Sequence, residues 1–143
     1  MTDATLDDLT LTVSRLIPAP RERVFDAWLD PKMIARFLMG MPGTTVPRVE
    51  TDPREGGAFL IVMRTDKDIP HKGVYREIRR PDRLEFTWES PHSIDGSVVT
   101  LTFAEAEGGT LVELTQVRFF DEARRDGHRA GWSHILDRLA EAV

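Results

Sequence analysis

Cysteine is absent from this chain of 143 residues. That excludes a disulfide framework, a Cys-ligated zinc or iron–sulfur site, and thiol catalysis. An excess of positive charge is absent too. Nineteen Lys and Arg against 24 Asp and Glu leave a net charge of −5. General binders of nucleic acid or anionic membranes are usually basic, so neither partner is expected. No segment approaches the ~20 consecutive apolar residues of a membrane span. Met1 to Asp8 is acidic and polar, without the basic start and apolar run of a signal peptide. A soluble, cytoplasmic protein is the expectation. No P-loop, GxSxG elbow, dinucleotide fingerprint or HExxH pair is found, and no internal repeat.

What is present is globular. The chain is 41% hydrophobic and 30% charged, and its length suits one domain over residues 1–143, with 1–8 as a polar lead. From Leu9 the pattern alternates: Leu9, Leu11 and Val13 face one way, as in a half-buried strand that Pro18 and Pro20 end. Val24, Phe25, Trp28 and Leu29 then fall at helical spacing behind Pro20. Asp30 is placed to cap a second short helix, with Pro31 at its first position, running to about Leu38. Strands are predicted over 46–50, 57–64, 71–79, 83–89, 97–105 and 110–119, with turn residues between them. Pro81-Asp82 marks a hairpin. A helix closes the chain over about 121–143, with His128, Gly131, Trp132, Ile135, Leu139 and Ala142 on its apolar stripe. The fold class expected is α+β: a curved antiparallel sheet of six or seven strands, in the order β-α-α-β6-α, wrapped around a long C-terminal helix. One helix does not fill a curved sheet everywhere, so an internal cavity is expected between them.

Particular residues carry a resemblance. They are Ile17-Pro18-Ala19-Pro20, Val24-Phe25-Asp26-Ala27-Trp28, Asp30-Pro31, Gly56-Gly57 and Gly73-Val74-Tyr75-Arg76-Glu77-Ile78. They continue with Pro81 to Trp88 and with Gly127-His128-Arg129-Ala130-Gly131-Trp132, Leu136 and Leu139. In this order, over about residues 9–143, the chain resembles the START-like helix-grip superfamily (SRPBCC). Within it the chain resembles the family named after the activator of the heat-shock-protein-90 ATPase. The resemblance implies the helix-grip fold. It does not choose a function, since the superfamily hosts lipid carriers, hormone receptors, polyketide cyclases, oxygenase domains and co-chaperones. One stretch departs from the pattern. Where the family often has Trp-Trp-Gly-Pro, this chain has Phe37-Leu38-Met39-Gly40-Met41-Pro42, a methionine loop suited to an adaptable pocket lid.

Three functions follow as expectations. The first is a domain that binds a small apolar molecule, with walls from Phe59, Ile61, Met63, Tyr75, Phe86, Trp88, Leu114, Gln116, His128 and Trp132, and with Met39 and Met41 at the mouth. The second, implied by the family name, is a co-chaperone-like partner of a heat-shock ATPase. The third is a cyclase or hydrolase with Glu77, His128 and Tyr75 as acid–base groups. Glu77 and Tyr75 alternate onto one strand face, which could be that of Phe86 and Trp88; the alternative for Glu77 is pairing with an arginine at the sheet rim. Gln116, where relatives often have His or Gln, would bond either a ligand, or else His128 or a buried water. His128 and His134 lie on different helix faces, so no metal site is expected, nor any cofactor. His71 and His92 are expected to be solvated. The expected assembly is a monomer or homodimer.

Overall fold

The computed structural model describes residues 9–143; the predicted polar lead at 1–8 lies outside them. The elements are β1 (Thr10–Ile17), α1 (Arg21–Ala27), α2 (Pro31–Phe37), β2 (Thr45–Thr51), β3 (Ala58–Arg64), β4 (Asp68–Arg79), β5 (Arg83–Thr87), β6 (Val98–Ala106), β7 (Gly109–Val117) and α3 (Glu122–Ala142). All seven strands form one antiparallel sheet, ordered β1-β7-β6-β5-β4-β3-β2. Each strand from β2 to β7 pairs with its sequence neighbour, and β1 closes the far edge on β7. This is the expected helix-grip architecture. The largest boundary difference is in β4, which starts three residues early because Ile69 and Asp68 continue the ladder opposite Met63 and Arg64; the other strand ends shift by no more than two residues. The polar Asp68 and Pro70 hide that extension from an apolar pattern.

Local chemistry starts the helices. The Asp30 carboxylate accepts the Lys32 N–H at 3.0 Å, with Pro31 in the first turn of α2. The Asp121 carboxylate accepts the Arg124 N–H at 2.8 Å to start α3. Helix α1 is tied to the β4–β5 turn by two ion pairs. Arg80 meets Asp26 through two hydrogen bonds of 2.8 and 3.0 Å, and Arg21 meets Asp82 at 2.6 Å. Hydrogen bonding to the Arg80 guanidinium holds the Asp26 carboxyl below its usual range.

The core lies between the concave sheet face and the three helices. Ile17, Val24, Phe25, Phe37, Leu84, Leu101, Leu114, Leu136 and Leu139 are almost wholly buried there. The rings of Phe59, Tyr75, Phe86 and Trp88 form a continuous aromatic wall over β3–β5, with centroids 5.3–6.4 Å apart. Along α3 burial is uneven. Its buried residues, Trp132, Ile135, Leu136 and Leu139, all lie in the second half. Asp137, in that same half, bonds Arg15 of β1 at 2.7 Å. The first half, from Glu122 to Ala130, has no buried residue.

Gly73 lets β4 cross under this wall. A Cβ there would stand 2.7 Å from Phe59 Cζ and nearer still to the Thr87 carbonyl oxygen. Neither the backbone oxygen nor a ring wedged among three aromatics can yield cheaply. Gly73→Ala is therefore expected to lower the unfolding free energy by about 3 kcal/mol. Urea denaturation checks this; an unchanged midpoint would show that the site relaxes.

Candidate functional site

A cavity of about 440 Å³ lies where the first half of α3 passes over the sheet. That is within the roughly 300–1,000 Å³ range of small-molecule sites. Helix α3 contributes Ala123, Arg124, Gly127, His128, Gly131, Trp132 and Ile135. Strands β3 and β4 and their turn contribute Met63, Thr65, Ile69 and His71. Trp88 and His92 follow β5, and Gly40, Met41 and Thr44 come from the loop after α2. The walls divide by exposure. Thr44, Met63, His71, Trp88, Trp132 and Ile135 are buried, whereas Met41, Thr65, His92, Ala123, Arg124 and Gly127 are exposed. The cavity is thus a cleft with a closed end and an open one.

The space follows from the sequence of α3. Ala123, Gly127 and Gly131 recur every four residues, which aligns them on one helix face. A Cβ on Gly127 would meet nothing within 4 Å, and one on Gly131 would rest 3.7 Å from the Gly40 carbonyl oxygen. The methionine loop therefore lies backbone-to-backbone on the helix at Gly131, beside the open ground at Gly127. Each glycine weakens the helix by about 1 kcal/mol relative to alanine.

Trp132 is the hinge between core and cavity. Its indole N–H donates to Gln116 Oε1 at 2.7 Å, and Gln116 Nε2 donates to Ser97 Oγ at 2.8 Å. Ser97 Oγ donates onward to the Val117 carbonyl at 2.9 Å. This chain binds α3 to β7 through fully buried groups and holds the indole 4.9 Å from Trp88, centroid to centroid.

Three histidines line the cavity. His71 is buried, its ring against Trp88 at 5.1 Å, and its Nδ1 lies 3.2 Å from the Ile69 carbonyl oxygen. A carbonyl only accepts, so Nδ1 carries the proton and Nε2 is left as an acceptor. Burial pushes its imidazolium down to about 4, with repulsion from His128 and His92 adding to the effect. His128 repeats the arrangement: Nδ1 lies 2.8 Å from the Arg124 carbonyl oxygen, and Nε2 is 3.5 Å from Ser93 Oγ. Burial lowers its imidazolium as well. No carboxylate among the described residues lines the cavity. Among the described residues no cluster of His, Asp or Glu suits a metal ion, and no helix is long and apolar enough to cross a membrane.

The structure brings Met41, Met63, Trp88, His128 and Trp132 of the expected pocket together. Phe59, Ile61, Tyr75, Phe86, Leu114 and Gln116 do not line it; they are buried in the core, because the aromatic wall fills that half of the sheet with its own rings. Met39 is only half-buried and also stands outside the lining. Glu77 departs from the expected face. A register shift between Tyr75↔Phe86 and Glu77↔Glu85 reverses the alternation, so Ile78 turns inward opposite Leu84 and Glu77 turns outward. There it pairs with Arg83 at 2.7 Å and Arg79 at 3.4 Å. Tyr75 lies inside the wall, where burial pushes its phenol up. The acid–base set of Glu77, Tyr75 and His128 is not assembled. The expectation that His71 is solvated also fails. His71, Gly73 and Tyr75 alternate onto one face of β4, so the strand pattern already carried the signal for its burial. The stripe Ala123, Gly127 and Gly131 was likewise legible at four-residue spacing.

Comparison with known proteins gives a consistent picture. Residues 18–143 match the model of a family described as activator of Hsp90 ATPase homolog 1-like protein. The crystal structure of protein CV1439 from Chromobacterium violaceum is similar at 27% identity and a TM-score of 0.82, covering 92% of this chain and 94% of that one. The solution structure of the AHSA1-like protein from Aeromonas hydrophila is similar at 27% identity and a TM-score of 0.82, over 94% and 92% of the two chains. A putative uncharacterized protein from Rhizobium leguminosarum follows at 25% identity and a TM-score of 0.72, over 93% and 95%. No curated protein matches the chain.

Two expectations arise from this geometry. Gln116→Leu orphans the Trp132 N–H inside the core and should cost about 2 kcal/mol in urea denaturation; a loss below a few tenths would show that the chain of bonds is dispensable. His71 binds its proton more weakly when folded than its ordinary value of 6.5. The unfolded chain therefore takes up the proton first as pH falls, and stability declines between about pH 6.5 and 4, by up to about 3 kcal/mol. His71→Leu should flatten that part of the stability profile; an identical profile would place the titration elsewhere.

Proposed function

Within the activator of Hsp90 ATPase homolog 1-like family, to which this chain belongs, we propose that the protein binds one small, largely apolar molecule in the cleft under the first half of α3. The observation that carries this reading is the 440 Å³ cavity itself, lined by Gly127 and Gly131 in a helix that alanine at those positions would favour. Its buried end offers Met63, Trp88, Trp132 and Ile135, an apolar and aromatic surface. Burying ~300 Å² of a ligand's apolar area contributes roughly 7 kcal/mol before ordering costs, enough for micromolar binding without any reaction. Binding is favoured over catalysis because the acid–base groups are dispersed: Glu77 outside, Tyr75 in the core and His128 alone on the cavity.

Native mass spectrometry of the purified protein, set beside the denatured sample, is the first test. A small adduct lost on denaturation is expected, and so is saturable fluorescence of added N-phenyl-1-naphthylamine. Gly127→Phe, which places a ring in the open space, should weaken the dye by about tenfold or more. Gly127→Ala should raise stability by about 1 kcal/mol through helix propensity alone. Absence of both adduct and dye binding would overturn the proposal.

A further inference from the structure

We propose that the cleft selects apolar ring molecules carrying a hydroxyl group, and that His71 Nε2 is the acceptor that recognises that hydroxyl. This rests on the binding role proposed above and adds its chemistry. The buried end of the cleft is apolar apart from His71, Thr44 and the Trp88 N–H. An imidazole among Trp, Met and Ile side chains is poorly placed unless its nitrogens are used. Nδ1 is used on the Ile69 carbonyl, and that bond fixes the tautomer, so Nε2 presents a lone pair.

His128 is a weaker candidate, because its Nε2 already has the Ser93 hydroxyl at 3.5 Å. Among the described residues the Thr44 hydroxyl and the Trp88 N–H also lack a hydrogen-bond partner, but both atoms are closed off from the open space of the cleft. A ligand hydroxyl needs only its one proton to meet the Nε2 lone pair, so it suits a wall whose open polar atom is an acceptor. Ammonium ligands are disfavoured because the lining has, among the described residues, no carboxylate to balance them. The tilted ring stack of His71, Trp88 and Trp132, with centroids 5.1 and 4.9 Å apart, supplies a face for a flat body.

The test uses two probes of one shape, 2-naphthol and 2-methoxynaphthalene, which differ in having a proton to donate. Calorimetric titration at neutral pH is expected to show 2-naphthol bound about tenfold more tightly, the equivalent of about 1.4 kcal/mol. In His71→Leu that preference should fall to about one, with 2-methoxynaphthalene binding retained. His71→Phe, which keeps a flat ring against Trp88, serves should His71→Leu fail to fold. Equal affinities in the unaltered protein would overturn the hydroxyl selectivity while leaving the binding role intact. A preference surviving in the folded His71 variant would overturn His71 as the acceptor. Failure of both probes to bind would overturn this proposal and the binding role together.

Discussion

The bond from the Trp132 indole to Gln116 governs what lies on either side of it. A long helix crossing a curved sheet touches it well at one place and departs from it elsewhere. Here the place of contact is fixed by a buried polar chain from Trp132 through Gln116 and Ser97 to the Val117 carbonyl. Beyond it, Ile135, Leu136 and Leu139 pack into the core, and Asp137 reaches Arg15 at the sheet edge. Before it, the helix has no buried side chain and spans the cleft. Hydrophobic packing alone is tolerant of small rotations. A hydrogen bond of 2.7 Å between two fully buried groups is not, because rotation would leave both unpaired. The same indole forms the inner wall of the cleft, so the constraint that anchors the helix also sets the face a ligand would meet.

Electrostatics inside the cleft run against the character of the whole chain. The protein carries a net charge of −5, yet among the described residues no carboxylate lines the cavity, while three histidines and Arg124 do. Burial keeps His71 and His128 neutral near pH 7, each with its Nδ1 proton engaged on a backbone carbonyl. The result is a wall of neutral polarity: acceptors without charge, set among aromatic rings. Arg124 is engaged with Asp121 at 2.8 Å and stacks over Phe120, so its charge is already balanced at the rim.

The fold was largely legible because its signals are periodic. Alternation over Leu9–Val13, the turn at Pro81-Asp82 and the cap at Asp30-Pro31 each name their element by local chemistry. The cleft was legible only in part. Met63, Trp88, His128 and Trp132 could be placed on it because strand and helix periods point them inward. Phe59, Tyr75 and Phe86 have the same periods, and nothing in one-dimensional order tells a ring that lines space from a ring that fills it. For Glu77 the expected rim pairing with arginine is what forms, and its face was not legible for a sharper reason. One shift of register reverses every later side chain on a strand, and no residue between Tyr75 and Glu77 announces it. Gln116 showed its burial but not its partner, because Trp132 lies 16 residues further along the chain on another element.

Two departures from local rules meet at this cleft. Glycines at 127 and 131 weaken a helix whose sheet-facing half is otherwise well packed, and the imidazole of His71 occupies a wall where an apolar side chain would cost less. The imidazole has an ordinary structural explanation. His71 stacks on Trp88, and a Cβ on Gly131 would meet the Gly40 backbone only in ordinary contact at 3.7 Å. Gly127 has no such explanation, since alanine would fit there without contact and would favour the helix. A position that forgoes available stability on the wall of an apolar cleft supports the binding role proposed for it.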